Sequence, residues 1–166
     1  TNGGATFSGG ASFNGQFVSP SDYDNNNGIM YSQSNETDLY EWKVRQGLPP
    51  RRLRINGPKF GTIESVLCDP NTAGRIYIGY GSGRITVIEE ALQVDTFINS
   101  SSLTVLPGGG PVSSIEVEDG NENHIIACMS STGLANNIYE SFDRGVSWIG
   151  VEGTSVAAAQ RFPDIP

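Results

Sequence analysis

The sequence is poor in basic residues, histidine and cysteine, and each shortage limits the functions that it can carry. There are 10 Lys and Arg against 18 Asp and Glu, so the formal net charge is -8. A surface that binds nucleic acid needs clustered Lys and Arg to displace counterions from phosphates, and the only tight basic group is Arg51, Arg52 and Arg54. We expect no nucleic-acid partner and, for the same reason, no attachment to an anionic membrane surface.

The printed sequence also lacks long apolar runs and the features of a signal peptide at its first residues. No run approaches the roughly 18 apolar residues of a membrane span, and Thr1-Asn2-Gly3-Gly4 has neither the basic nor the apolar region of a signal peptide. We therefore expect a soluble chain without membrane insertion, either mature or excised from a longer one. With 37% hydrophobic residues it can build a core.

The two cysteines and the single histidine give little support for a metal cluster. Cys68 and Cys128 each stand inside an apolar run. We expect both to be buried and reduced, because a free Cys packs as a small hydrophobe. A disulfide between them stays open. Neither has the paired spacing of a zinc ligand.

Glycine, by contrast, is abundant, with 21 of 166 residues. Gly, Asn and Asp gather in clusters that supply the positive φ and the self-bonding side chains of tight turns. These clusters lie at 22–28, 71–74, 81–83, 108–110 and 119–123. Short runs rich in Ile, Val, Tyr, Phe and Thr lie between them and predict strands. The chain is therefore predicted to be all-β.

The predicted strands repeat in groups of four. Second strands begin at Ile29, Ile76 and Ile125, at intervals of 47 and 49 residues. Four short strands in each unit of nearly fifty residues match the period of a β-propeller blade. The predicted fold is therefore an all-β chain of about three four-stranded antiparallel propeller blades, part of a larger propeller. A plain antiparallel sandwich is the alternative.

The repeat also predicts where the units begin and end. Blade 1 is predicted at 16–57, blade 2 at 58–106 and blade 3 at 107–153, with 1–15 as outer strands of a preceding blade or a lead-in and 154–166 as a linker or the start of the next blade. The first strand of blade 1 is predicted at Phe17–Pro20 and the fourth strand of blade 2 at Asp95–Ile98. Because propellers usually have four to eight blades, three cannot close a ring.

One sharp motif follows the third strand of blade 3. Ser141, Asp143, Gly145, Ser147 and Trp148 fit the pattern Ser-x-Asp-x-Gly-x-Ser/Thr-Trp. This motif resembles the Asp-box, the bacterial neuraminidase (BNR) repeat of sialidases, xyloglucanases and sortilin-like receptors, where it forms the turn between the third and fourth strands of a blade. The chemistry suits a turn, since Asp143 can accept hydrogen bonds from turn amides and Gly145 tolerates positive φ. The Asp-box lies away from the catalytic face in those families, so the resemblance implies a structural role.

Longer segments extend the resemblance. Residues 15–24, 121–124 and 140–153 resemble parts of large secreted or surface proteins of Bacteroidetes, which carry sialidase-like or sortilin-like propeller repeats and often a type IX secretion signal. After the motif that family usually continues Glu-Gly-Asn-Leu-Pro-Asp-Met-Pro, whereas this chain reaches Pro163-Asp164-Ile165-Pro166 only after an insertion. The resemblance implies an extracellular or cell-surface location and a propeller without assigned chemistry.

The sequence contains no complete catalytic set. A sialidase-type site needs three Arg around one carboxylate, but Arg51, Arg52 and Arg54 share a predicted strand whose neighbours point to opposite faces. A glycosidase needs two carboxylates about 5 to 9.5 Å apart. The candidates are Asp22, Asp24, Asp69 and Asp119. Each of them is equally the residue that a turn prefers.

Nucleophilic and phosphate-binding sites are not supported either. His124, the single His, is predicted to open a strand and face solvent, and no Gly-x-Ser-x-Gly elbow accompanies it. Gly108-Gly109-Gly110 lacks the Lys and the helix N-terminus of a nucleotide site, so it is predicted to connect two blades.

Calcium is the most plausible ion for this sequence. Asp22, Asp24 and Asn26 place oxygen ligands at alternate positions, but Gly28 falls one residue late for an EF-hand loop and no Glu follows at the required distance. The alternative is an exposed Asn/Asp turn. No other cofactor is predicted.

Six aromatic residues on second and third strands could form a sugar-binding platform or pack between blades. They are Tyr31, Tyr40, Trp42, Tyr77, Tyr80 and Tyr139. Packing between blades needs the same amphipathic side chains, and we favour that interpretation.

The sequence as a whole favours a non-catalytic extracellular propeller segment that acts as a scaffold or recognition module of a larger protein and binds a glycan or another protein. Its other partners would be further blades of the same protein or other chains. A fragment of a xyloglucanase- or sialidase-type hydrolase is one alternative, and a purely structural assembly subunit is another.

Overall fold

The computed structural model describes residues 19–34, 38–92, 97–133 and 136–151. Regular structure in these ranges is β-strand, apart from one short 3-10 turn at Val44–Gln46. No helix in the described part of the chain is long and apolar enough to cross a membrane.

Within the described ranges, thirteen strands form three sheets, each built mainly from consecutive antiparallel strands. Sheet 1 contains β1 (Ser21–Asp24), β2 (Ile29–Gln33), β3 (Leu39–Trp42) and β4 (Arg51–Asn56). Sheet 2 contains β5 (Ile63–Cys68), β6 (Ile76–Tyr80) and β7 (Ile85–Ile88). The strands β8 (Phe97–Asn99) and β9 (Ser101–Ser102) follow. Sheet 3 contains β10 (Val112–Glu118), β11 (Asn121–Met129), β12 (Ile138–Ser141) and β13 (Ile149–Gly150).

Sheet 2 lies between the other two sheets, and its sequence explains why. Every residue of β6 and β7 is buried, whereas β2, β3 and β4 alternate between more and less buried positions. Successive strand residues point to opposite faces. Accordingly, Ile76 and Ile78 pack in the core between sheets 1 and 2, while Tyr77 packs in the core between sheets 2 and 3.

The aromatic residues divide in the same way. Tyr31, Tyr77 and Tyr80 are fully buried and Tyr139 is nearly so, which supports packing between sheets for these four. Tyr40 and Trp42 are half-buried on the opposite face of sheet 1, away from sheet 2.

Two strands differ from the sequence prediction. The first strand of sheet 1 begins at Ser21, after the predicted Phe17–Pro20, of which Phe17 and Val18 lie outside the described residues. The strand predicted at Asp95–Ile98 is observed as β8 at Phe97–Asn99, and Asp95 and Thr96 lie outside the described ranges. There β8 pairs parallel with β4 of sheet 1, and β9 then pairs with β7 of sheet 2. Ile98 is buried in the core between sheets 1 and 2, which explains why this segment joins both.

Close approach of sheets 2 and 3 depends on one glycine. Gly79 lies opposite Ser65 in the β5–β6 pair, and the Ser65 hydroxyl donates a 2.8 Å hydrogen bond to the carbonyl oxygen of Val112 in sheet 3. A Cβ atom at position 79 would overlap Ser65 Oγ and lie 2.8 Å from Val112 Cβ. Residue 79 therefore has to lack a side chain.

We predict that Gly79→Ala lowers the free energy of unfolding by about 1–3 kcal/mol, the usual cost of overpacking a core. Urea denaturation measures the change. Gly81→Ala is the matched control, because its Cβ would come no closer than 3.1 Å to Thr62 Oγ1 and meets only side-chain atoms. Equal stability of the two variants would contradict the close packing at Gly79.

Candidate functional site

The turn from Ser141 to Trp148 is held by a compact set of hydrogen bonds. Asp143 Oδ1 accepts from the Ser147 amide at 2.8 Å, and Asp143 Oδ2 accepts from the Ser147 hydroxyl at 2.5 Å. The Ser141 hydroxyl donates to Asp143 Oδ1 at 2.8 Å and accepts from the Gly145 amide at 2.8 Å. Arg144 and Gly145 both have positive φ, 59° and 82°. The polar groups of the turn thus satisfy one another.

The same turn links sheet 3 to the segment that leaves sheet 2. Trp148 Nε1 donates to the carbonyl of Thr104 at 3.0 Å, and the Thr104 amide donates to the carbonyl of Gly145 at 3.1 Å. The Trp148 ring packs against the core between sheets 2 and 3. The turn lies between β12 and β13, the third and fourth strands of sheet 3, and its contacts are structural.

A buried arginine joins sheets 2 and 3 nearby. Arg75 donates to Asp69 at 3.0 Å, to Glu89 at 2.7 Å and to Glu122 at 2.6 Å, and its side chain is 8% exposed. Arg144 also forms an ion pair with Glu89, with 3.2 Å between its Nη2 and Glu89 Oε1. Asp69, which the sequence offered as a candidate carboxylate for glycoside hydrolysis, therefore forms an ion pair with Arg75. The local sequence contains no pattern that predicts this network of ion pairs.

The oxygens of the predicted calcium ligands Asp22 and Asp24 accept hydrogen bonds from the protein. Asp22 accepts from the amides of Tyr23 and Cys68 at 2.8 and 2.7 Å. Asp24 accepts from the amide and the side chain of Asn27 at 3.0 and 2.7 Å. Asn26, the third predicted ligand, is exposed in the turn that follows. Within the described residues, no group of three His, Cys, Asp or Glu is arranged to hold a metal ion.

His124 lies inside β11 and not at its start, because β11 already begins at Asn121. Its Nε2 is 2.7 Å from Glu140 Oε1 and its Nδ1 is 3.0 Å from Glu118 Oε2. Hydrogen bonds to Glu140 and then to Glu118 raise the pKa of His124. The Phe142 ring stacks on the imidazole. The predicted position at the start of a strand was wrong. The side chain is half-buried, but it lies on the outward face of sheet 3, the same face as the exposed Ile126, as the solvent-facing prediction requires.

Other predicted candidates stay apart. Arg51 donates to Glu41, Arg52 donates to Asp38, and Arg54 lies over the Phe97 ring, so the three guanidinium groups do not converge. The remaining candidates lie in turns or in partly buried positions. Asp119 is exposed in a turn, Gly108 to Gly110 connect sheets 2 and 3, and Cys68 and Cys128 are free thiols that are half-buried instead of fully buried.

A groove beside β3 and β4 is the strongest candidate for a binding site, and sequence reasoning missed it. It has a volume of about 380 Å³ and is lined by Glu41, Lys43, Leu48, Pro49 and Arg51, which we call the Glu41 groove. The Glu41 side chain is 1% exposed, and its Oε2 accepts from Arg51 Nε at 2.6 Å. Its Oε1 has no hydrogen-bond partner and lies 3.8 Å from Lys43 Nζ.

A buried tyrosine lies directly across the strand pair from Glu41. Tyr31 is opposite Glu41 in the β2–β3 register, and its buried hydroxyl has no hydrogen-bond partner. Burial, followed by the charge of Glu41, raises the pKa of Tyr31. A buried carboxylate oxygen with unused acceptor capacity is costly unless a ligand or water completes it. The groove can therefore accept a hydrogen bond from a bound hydroxyl group, while Leu48 and Pro49 offer an apolar surface.

No protein-family model matches the chain, and no curated protein matches it in sequence. Among solved structures it is similar to YCF48 from Cyanidioschyzon merolae, at 16% identity and a TM-score of 0.64, over 85% of this chain and 42% of that one. It is also similar to an ancestral GH74 enzyme, at 19% identity and a TM-score of 0.61, over 84% of this chain and 18% of that one.

A third similar structure is the GH74 xyloglucanase from Xanthomonas campestris, at 17% identity and a TM-score of 0.54, over 84% of this chain and 21% of that one. These are β-propeller-type proteins, and the likeness confirms the predicted fold class, a partial β-propeller. The chain spans less than half the length of each of them. Identities this low concern the fold alone.

We predict that Asp143→Ala lowers the melting temperature at pH 7 and that this difference shrinks in acid. Hydrogen bonds from the Ser147 hydroxyl and amide hold the pKa of Asp143 below its usual value of 3.8. A lowered folded-state pKa gives stability that is present above the unfolded value and is lost as the pH falls through the folded value.

Thermal unfolding followed by circular dichroism across pH 2 to 7 tests this linkage. Asp119→Ala, in an exposed turn, is the control and should leave the melting temperature unchanged. An equal loss for Asp143→Ala at every pH would show that the charge of Asp143 does not stabilise the turn.

Proposed function

We propose that this chain is part of a non-catalytic β-propeller that acts as a scaffold and recognition module of a larger secreted or surface protein, and that the Glu41 groove binds a glycan. The observation that carries the proposal is the buried Glu41 Oε1, which lacks a hydrogen-bond partner beside two cationic side chains. A sugar hydroxyl can donate to this oxygen, and sugar oxygens can accept from Lys43 and Arg51. Leu48, 52% exposed, offers apolar contact to a sugar face. A protein ligand is the alternative occupant.

Four of the described carboxyl groups are unsuited to act as the acid of a glycosidase. A glycosidase acid needs a raised pKa. Hydrogen bonds from neighbouring side chains instead lower the pKa of four carboxyl groups, and at Asp38 they outweigh burial. The four are Asp38, Glu118, Glu122 and Asp143. None of these four carboxyl groups has the raised pKa that a general acid requires.

A fragment of a propeller glycoside hydrolase is the second candidate function. Two of the similar structures are GH74 enzymes, one of them a xyloglucanase. In that case blades beyond the described residues would complete the carboxylate pair. Turnover of xyloglucan by the chain would favour this candidate over the binding role.

Glycan-array screening followed by calorimetry tests the Glu41 groove. We expect Leu48→Glu to weaken binding at least about tenfold, or about 1.4 kcal/mol, because it removes the apolar contact and adds a like charge beside Glu41. Glu41→Gln should weaken it similarly, and the exposed Leu48 makes Leu48→Glu the variant least able to disturb the fold.

Glu116→Gln is the matched control, since Glu116 is exposed on sheet 3, away from the groove. We expect its affinity to equal that of the wild type. Unchanged affinity of Leu48→Glu and Glu41→Gln would remove the Glu41 groove as the site.

The proposed location rests on the resemblance to secreted and surface proteins, which includes the Asp-box pattern from Ser141 to Trp148. We expect an antibody against the chain to label intact source cells or the culture medium. Recovery of the chain solely inside the cells would contradict an extracellular role.

A further inference from the structure

The outward face of sheet 3 is acidic. Glu116, Ile126, Glu140 and Ile149 form one row across its four strands, because each pairs with the next in the antiparallel register. Directly opposed residues share a face of the sheet. The residues of this row are half-buried or exposed, and Ile149 is 60% exposed. Glu118 lies on the same side, and so does His124, whose imidazole is hydrogen-bonded between Glu118 and Glu140. Three carboxylates against one imidazole leave an excess of negative charge, so we call this surface the acidic face.

The outward face of sheet 1 has the opposite character. Tyr40 and Arg52 are paired across β3 and β4, and Arg54 is paired with Phe97 across β4 and β8. Arg52 donates to Asp38 at the sheet margin yet stays 43% exposed, and Phe97 is 59% exposed. Among the described strand residues, alternation places no Asp or Glu on this side. We call it the basic face.

The two faces inside the molecule differ from these outer ones. Large clusters of apolar and aromatic side chains fill the space between sheets 1 and 2 and between sheets 2 and 3, and the buried charges there, such as Glu41 and Arg75, are paired within the molecule. Among the described residues, no other sheet packs on these two outer faces. Charged rows there suit chains that fold separately and then associate, since such interfaces are more polar than a core. The opposite signs of the two faces make them complementary to each other.

We propose that two copies of this chain associate, with the acidic face of each copy packed on the basic face of the other. A two-fold axis satisfies both contacts at once, because residue i then meets residue j and residue j meets residue i. Two arcs of three sheets give six, within the usual four to eight of a closed propeller. Glu41 points into the interior of the molecule toward sheet 2, so the association does not depend on the Glu41 groove.

Light scattering after size exclusion tests the proposal on the full 166-residue chain. At concentrations up to about 200 µM, above the micromolar range of weak interfaces, the wild type should show twice the mass of the 17.7 kDa chain. Glu116→Lys with Glu140→Lys should give a monomer, and so should Arg52→Glu with Arg54→Glu, because both pairs of substitutions bring like charges together.

Mixing these two variants in equal amounts is the decisive step. The reversed acidic face then meets the reversed basic face, and the two unaltered faces also match, so we expect the mixture to recover the dimer mass. Recovery also shows that both variants are folded. The control, Glu64→Lys with Glu90→Lys, changes the net charge by the same amount as Glu116→Lys with Glu140→Lys. Its substitutions lie on sheet 2 and beside it, off both faces, so it should dimerise as the wild type does.

Several results would overturn the proposal. A monomeric wild type over the whole range would mean that something else, such as further sheets of a longer polypeptide, covers these faces. Dimers that survive both pairs of substitutions would place the contact elsewhere. A mixture that stays monomeric would show that the two faces do not meet.

Discussion

The middle sheet is apolar on both sides, and the rest of the structure follows from this constraint. All residues of β6 and β7 are buried, so sheet 2 cannot exist with either face in water. Sheets 1 and 3 therefore have to pack on it, and their inward residues form two separate cores. Gly79 and the Ser65 hydroxyl then set how closely sheet 3 approaches.

Polar side chains in this arrangement mostly hold the sheets and turns together. Asp143 closes the turn before β13, Arg75 joins sheets 2 and 3, and the Asp22 carboxylate bonds to sheet 2 through the Cys68 amide. Because the hydrogen-bonding atoms of these side chains already bind other protein groups, they have little capacity left to bind a ligand or take part in a reaction. Glu41 differs, because burial leaves one of its oxygens without a hydrogen bond at the wall of a groove. For this reason recognition is the function that we propose.

The sequence carried enough information for the fold and little for the candidate site. Strands β6 and β7 are apolar runs between Gly-rich turns, so their place could be predicted from pattern alone. The Asn- and Ser-rich stretch around β8 and β9 has no such alternation, and its division between two sheets depends on tertiary packing. The Glu41 groove and the Arg75 network could not be found, because burial decides the state of Glu41, and Glu122 lies 47 residues from its partner Arg75.

Hydrogen exchange of backbone amides tests most directly whether sheet 2 is the centre on which the other sheets depend. The account predicts the slowest exchange in β6 and β7, from Ile76 to Tyr80 and from Ile85 to Ile88, with faster exchange in the outer strand β13. Rapid exchange in β6 and β7 while β11 and β12 stay protected would contradict it, because sheet 3 would then be stable without its support.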